Sequence, residues 1–273
     1  MDSLNFITAG MPLITGNKGY KRAFEILDEL NLDGMELEFV HGVRISSDNK
    51  VIVKNSKLTK TIHAPFYINL NSKEPEKVDA SVQRIIETAR VANEVGAFSI
   101  TYHAAFYLGM DKKDVYNQVK TQTKLITDTL NDEKIKVWVR PETTGKATQW
   151  GDLEEIINLS KEFEYVLPCV DFSHLHARYN GISNTYDEFA RIFEQIGNQL
   201  AEKKPLENFH AHIAGIAYGD KGEKHHLNLD ESDFNYKDLL KAFKDFNVKG
   251  AIVCESPNIE TDCKIMKEYY NSL

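Results

Sequence analysis

Phe98-Ser99-Ile100-Thr101-Tyr102-His103 and Ile135-Lys136-Val137-Trp138-Val139-Arg140-Pro141-Glu142 frame the helix candidate Lys112–Asn131. Two short runs rich in β-branched and aromatic residues around a helical stretch read as a strand–helix–strand unit. The unit repeats in both directions. Leu4–Thr8, Gly34–Phe39, Thr61–Ala64, Tyr165–Val170, Asn208–Ile213 and Gly250–Cys254 are further strand candidates, eight in all. Tyr20–Leu30, Lys77–Val95, Leu153–Phe163, Thr185–Gly197, Tyr236–Phe246 and Glu260–Ser272 are helix candidates. Val78, Val82, Ile85, Ile86 and Ala89 keep the helical rhythm clearly. Eight strands in such alternation over 273 residues predict an α/β fold, a closed (β/α)8 barrel forming one domain over residues 1–273. A doubly wound open sheet is the rival. His41 to Lys60 carries no good helical pattern, so an irregular excursion is expected in place of one outer helix.

Composition narrows the function. With 33 basic and 41 acidic residues the formal net charge is −8, which disfavours a broad electrostatic grip on nucleic acid. Three cysteines, Cys169, Cys254 and Cys263, cannot build a disulfide framework and point to a reducing, cytoplasmic setting. Cys169 and Cys254 fall in strand bodies, where packing is the expected role. No apolar run reaches the roughly 18–20 residues of a membrane span, and the first ten residues lack the pattern of a signal peptide.

In a (β/α)8 barrel, chemistry sits at the C-terminal ends of the strands. All nine histidines map there: His41, His63, His103, His174, His176, His210, His212, His225 and His226. Glu142, Asp171 and Glu255 end the fifth, sixth and eighth strands, and Glu223 precedes the His225-His226 pair. Any one of these alone would suit a hydrogen-bonded or helix-capping role, and His176 is the expected bystander. Together, so many carboxylates and imidazoles on one rim repel and desolvate one another unless cations lie between them. Imidazole with carboxylate suits Zn2+ or Mn2+. His210 and His212 are two apart and face the same side of their strand, with His212 nearer the rim. His210 is then one layer deeper, although spacing alone leaves the reverse open.

Five stretches resemble the endonuclease IV family of apurinic/apyrimidinic endonucleases. They are Thr61-Ile62-His63-Ala64-Pro65-Phe66-Tyr67-Ile68-Asn69-Leu70, Thr101-Tyr102-His103, Pro141-Glu142-Thr143-Thr144-Gly145-Lys146, Cys169-Val170-Asp171 through His174, and Cys254-Glu255-Ser256-Pro257. The strand Gly34-Met35-Glu36-Leu37-Glu38-Phe39 fits as well. The resemblance implies a trinuclear-zinc barrel of the xylose-isomerase-like group. His63, His103 and Glu142 would hold the first ion. Glu142 would bridge to a second held also by Asp171, Glu255 and His212 or His210. His174, Glu223 and a histidine of the 225–226 pair would hold the third, with His226 the better match. The spacing departs from the family here: Glu223-Lys224-His225 keeps it but changes Asp to Glu, and Glu223 to His226 is three apart. The family's Asn-Asp after the strand-7 histidine is also lacking.

The implied chemistry is metal-assisted hydrolysis of a DNA phosphodiester 5′ to an abasic site in base excision repair, with Glu142 and Glu255 holding the attacking water. The implied partner is duplex DNA, met by a monomer. Phe66 and Tyr67 are candidates to wedge into the base stack. Arg44, Lys146 and Lys224 are candidates for phosphate, and Lys50, Lys54, Lys57 and Lys60 add charge after the second strand. A sugar isomerase or epimerase with one ion is the alternative. It would use Glu142 and Glu255 as proton carriers and Asp171 and His212 as ligands.

Overall fold

In the computed structural model, which describes residues 2–273, the β-branched runs form eight parallel strands. They are β1 (Leu4–Ala9), β2 (Gly34–Glu38), β3 (Thr59–His63), β4 (Ser99–Tyr102), β5 (Trp138–Pro141), β6 (Val170–Asp171), β7 (Phe209–Ile213) and β8 (Gly250–Cys254). Their hydrogen-bonded order is β5-β4-β3-β2-β1-β8-β7-β6. The two end strands meet through parallel bridges at Val139–Val166 and Glu142–Cys169. Cys169 N donates to Pro141 O at 3.0 Å and Thr143 N to Cys169 O at 3.0 Å, which closes the ring. Regular pairing of β6 is confined to two residues, shorter than the expected Tyr165–Val170. Pro168 has no N–H to give to a ladder, so the chain before β6 makes only isolated bridges.

Among the described residues nine α-helices accompany the strands: α1 (Gly19–Glu29), α2 (Ser47–Asn55), α3 (Pro75–Val95), α4 (Lys112–Asp132), α5 (Leu153–Glu162), α6 (Phe172–Arg178), α7 (Tyr186–Gln199), α8 (Tyr236–Asp245) and α9 (Glu260–Ser272). The expected irregular excursion after β2 is corrected by α2. Ser46 caps it, its Oγ accepting from Asn49 N at 3.2 Å. Lys60 Nζ closes the other end on Val53 O (3.2 Å) and Ser56 O (2.8 Å). Val51-Ile52-Val53 hides the helix in the sequence, because such a run favours a strand and only Val53 is buried.

Strand residues of one parity, among them Met35, Leu37, Ile62, Ile100, Val139, Val170, Ala211 and Ile252, join the helices in one large apolar core. Inside the barrel, Ile7, Ala251 and Val253 form a small separate apolar cluster. Polar groups line the rest. Arg140 is fully buried and donates to Pro168 O (2.9 Å) and Asn208 O (2.7 Å). The loop after β7 folds into an antiparallel hairpin, Gly215–Gly219 with Gly222–Leu227. The turn rests on the loop after β5, where Glu223 N donates to Gly145 O at 2.9 Å. Gly222 has φ +88°, and a Cβ there would lie 2.2 Å from Gly145 O. Among the described residues, no helix is long and apolar enough to cross a membrane.

Candidate metal centre

Glu142, the first residue beyond β5, is the hub. Its Oε2 lies 3.2 Å from His63 Nε2 at the end of β3. Its Oε1 lies 3.0 Å from His103 Nε2 after β4, 3.2 Å from His174 Nδ1 on α6 and 3.5 Å from His212 Nδ1 on β7. Asp171 caps α6 through His174 N (2.6 Å), which turns its other oxygen toward His174 Nδ1 at 3.1 Å. Glu255, just beyond β8, is 3.3 Å from His212 Nδ1. The hairpin brings His226 Nε2 to 3.4 Å from His174 Nε2, and Glu223 to 3.6 Å from the same nitrogen.

The donor atoms group into overlapping sets, each with its atoms within 4.8 Å of one another. One is His63, His103 and Glu142; a second is Glu142, Asp171, His212 and Glu255; a third is Asp171, His174 and His226. The third differs from the expected composition, with Asp171 inside it and Glu223 beside it. His225 is exposed while His226 turns inward. A fourth set, Cys169, His210 and His212, lies wholly buried below the others.

The imidazole tautomers favour cations between these groups. His63 Nδ1 donates to Ala64 O (2.7 Å), His174 Nδ1 to Thr143 O (3.0 Å) and His226 Nδ1 to the backbone oxygen of Glu255 (3.2 Å). In the neutral rings, each Nε2 then carries a lone pair. For His63 it faces a carboxylate, and for His174 and His226 the two face each other. Only a proton or a metal ion relieves such contacts. Asp171 Oδ2, both nitrogens of His212, Glu255 Oε2, His210 Nε2 and both oxygens of Glu36 are buried and make no aligned hydrogen bond. The donor set therefore fits divalent cations held by imidazole and carboxylate, with ring N–H groups anchored on acceptors behind.

Electrostatics agree. Burial alone would push Glu142 up, but His103 and His212 hold it well below the usual carboxylate range. Glu255 is likewise held down to about 2 against burial, by His212. His63 and His174 are pushed up to about 10 against burial, the first by its hydrogen bond to Glu142, the second by the charge of Asp171. Burial drives Asp171 well above its ordinary value and Glu38 up to about 8.

Other candidates stay outside the cluster. His41 is exposed. His176 is buried against Asp233 at 3.2 Å, a contact that Tyr218 shares from the hairpin (2.7 Å). Cys169, Cys254 and Cys263 are buried and free. Phe66 and Tyr67 are 60% and 63% exposed, so core packing does not account for them, and the Phe66 ring is 5.7 Å from that of His63. Arg44 and Lys224 are exposed and Lys146 is half-buried. Lys60 is spent on α2, and Lys50 pairs with Glu94 at 2.6 Å, so the stretch after β2 offers less free charge than its composition promised.

Sequence reading missed Glu36 and Arg178. Glu36 is fully buried in the barrel, 3.0 Å from His212 Nε2 and 3.1 Å from His210 Nε2. Its signal was alternation: Glu36 shares a face of β2 with Glu38, which pairs with His63. Arg178 holds the loop after β5 by donating to Thr144 Oγ1 (3.0 Å), Lys146 O (2.5 Å) and Gln149 O (3.1 Å).

A family model described as xylose isomerase-like TIM barrel matches residues 12–270. The chain belongs to that family. An uncharacterized protein of Methanocaldococcus jannaschii is 44% identical over 272 residues, covering 99% of this chain and 98% of the relative. A relative from Mycoplasma pneumoniae named probable endonuclease 4 is 26% identical over 213 residues, covering 74% and 70%. Among solved structures, a D-tagatose 3-epimerase-like protein superposes with TM-score 0.74 and 18% identity over 97% of this chain and 98% of that one. Endonuclease IV from Thermus thermophilus superposes with TM-score 0.70 and 17% identity, over 99% and 100%. At such identities the likeness is one of fold, and the fold is common to a nuclease and an epimerase. Discrimination falls to the site.

Proposed function

We propose that this family member is a metal-dependent phosphodiesterase that incises duplex DNA 5′ to abasic sites, a deoxyribonuclease of the endonuclease IV type acting in base excision repair. The observation that carries the reading is the overlap of three donor sets through Glu142 and Asp171. An enzyme using one ion has no need for His63, His103, His174 and His226 besides the central set. The sequence likeness to proteins named endonuclease 4 supports it.

On this reading the three sets hold three divalent ions, zinc foremost and manganese in part. Glu223 and His226 would complete the third site, His210 lies behind His212, and Glu142 would serve the first two. Bound ions supply Lewis acidity at the phosphate and ionise water near neutral pH. Glu142 and Glu255 would orient the water by accepting hydrogen bonds from it. Phe66 and Tyr67 enter the base stack, and Arg44, Lys146 and Lys224 meet phosphates. An abasic nucleotide has lost its stacking, so drawing it into a deep mouth costs least. The protein acts as a monomer and one domain, in the cytoplasm, where its cysteines stay reduced.

The alternative is a sugar isomerase or epimerase with one ion. It is favoured by the central set Glu142, Asp171, His212 and Glu255, which is complete for one ion by itself. Metal content of protein purified without chelator separates the two, with about three ions per chain expected. A duplex carrying one tetrahydrofuran abasic analogue resists β-elimination, so a cut 5′ to it, abolished by chelator, is hydrolytic. If metal-replete protein holds one ion, leaves the duplex intact and interconverts a ketose and an aldose, the isomerase replaces the nuclease.

A further inference from the structure

Below the rim, four side chains from three strands form a connected buried column. Ser99 Oγ on β4 is 2.8 Å from His210 Nδ1 on β7. His210 Nε2 is 3.1 Å from Glu36 Oε2 on β2, and Glu36 Oε1 is 3.0 Å from His212 Nε2, ion-pair distances at which none of these four atoms makes an aligned hydrogen bond. Each of these residues is essentially inaccessible to water. An ionised Glu36 is compensated first by these two imidazoles, with His63 also acting on it and the buried Arg140 acting on His210.

We propose that Glu36 is a positioning residue for the central ion. It fixes His212 as the Nε2–H tautomer and so directs the Nδ1 lone pair at the ion shared with Glu142, Asp171 and Glu255. His210 is not a ligand in this arrangement. Its Nε2–H gives Glu36 a second donor, and its Nδ1 accepts from the Ser99 hydroxyl, so the column ends in a group that can rotate to suit. Every member then has a role consistent with its hydrogen-bonding capacity. Anchoring a ligating imidazole on a carboxylate raises its basicity and removes its rotational freedom. The inference rests on the metal-centre reading proposed above, but it concerns only the ion held by His212, which the hydrolase and the isomerase share.

The column also excludes an ion from the fourth donor set. An ion bound by Cys169, His210 and His212 would have to take a His210 nitrogen that already faces Ser99 or Glu36. Cys169 is the only thiol among the described donor sets, so a bound ion there would announce itself by thiolate ligation.

Zinc-loaded protein labelled with 15N should show His212 protonated at Nε2 and metal-bound at Nδ1, and His210 protonated at Nε2 without metal. The opposite His212 tautomer overturns the proposal, and this measurement needs no variant. Glu36→Gln keeps the shape and removes the charge. In graded chelator it should release one ion at 10- to 100-fold lower chelator concentration than the parent, the others following the parent curve. Release of every ion at the parent concentration overturns the proposal, as does a thiolate-to-cobalt charge-transfer band in cobalt-loaded parent protein. Ser99→Ala, at the far end of the column, should shift release by less than threefold. The ion count of the parent tests the nuclease reading; the difference between parent and Glu36→Gln tests this one.

Discussion

Glu142 stands between two halves of the proposed ligand array that are built by different means. His63 and His103 hang from the ends of β3 and β4, neighbours in a parallel ladder whose register fixes them (Thr101 pairs with His63). His226 and Glu223 instead arrive on a hairpin outside the barrel, held over the mouth by the contact of its turn with Gly145. The first half inherits the rigidity of the sheet. The second depends on the close approach of two glycines, which any side chain would spoil. Strand-borne ligands therefore go with the fold, while the hairpin-borne pair can be lost or moved without unfolding anything.

The largest effect should come from the carboxylate shared by the first two donor sets. Glu142→Gln is expected to lower nicking of the abasic duplex by roughly 10³-fold or more, since one carboxylate serves two ions. Circular dichroism on the same preparation should match the parent. Near-normal cleavage would detach Glu142 from the ions and dissolve the division into halves. Gly222→Ala should break one half alone. With φ at +88° and a Cβ set 2.2 Å from Gly145 O, the turn must lift. The expected outcome is loss of one ion per chain, a drop in activity of about 10- to 100-fold, and barrel strands that stay protected in hydrogen exchange.

The metal-stripped protein should respond to pH in a direction set by the raised imidazoles. His63 and His174 titrate near 10 when folded, above their ordinary value, so the folded state holds their protons more tightly than the unfolded chain. That stabilisation is complete below about pH 6.5 and is lost progressively as pH rises toward 10. Glu255, held down to about 2, works in reverse: its contribution fades as pH falls from about 4.5 toward 2. Melting temperature in chelator should therefore fall as pH rises, Glu38, raised to about 8, adding to the decline from about pH 4.5, and should fall again as Glu255 protonates toward pH 2. With zinc added, the alkaline decline should vanish, because the rings are then held neutral by the ions. A flat profile in chelator would mean the imidazoles are not charged in the folded state. The smallest effect separates the hairpin pair. His225→Ala, at an exposed position, should change stability by less than about 0.5 kcal/mol and leave the metal content intact, whereas His226→Ala should release the third ion.

The same division governs what could be read from the sequence. The eight strands and the residues at their ends followed from alternation and from the place of chemistry in a barrel, so the convergence of His63, His103, Glu142, Asp171 and Glu255 on one rim was legible, while spacing left His210 and His212 open. Choosing His226 over His225 took a hairpin register that no local pattern spelled out, although Gly219-Asp220-Lys221-Gly222 carries the composition of its turn. α2 stayed hidden because its signal lies in a serine cap and a distant lysine rather than in an apolar face. Glu36 was overlooked for a physical reason: a carboxylate inside a barrel reads as implausible until the two histidines that compensate it, more than 170 residues away, are brought beside it.

The polar lining of the barrel has a consequence for the protein's abundance. A barrel interior is ordinarily a store of apolar contacts, and here that store is small: Ile7, Ala251 and Val253. If ions bind the lining and not the unfolded chain, each adds about 2.7 kcal/mol to folding when its free concentration is a hundredfold above its dissociation constant. That is a large share of the total for a domain whose stability lies within about 5–15 kcal/mol. Scarcity of metal would then raise the unfolded fraction and expose the chain to proteolysis, so the supply of ions would govern how long each molecule lasts as well as how fast it works.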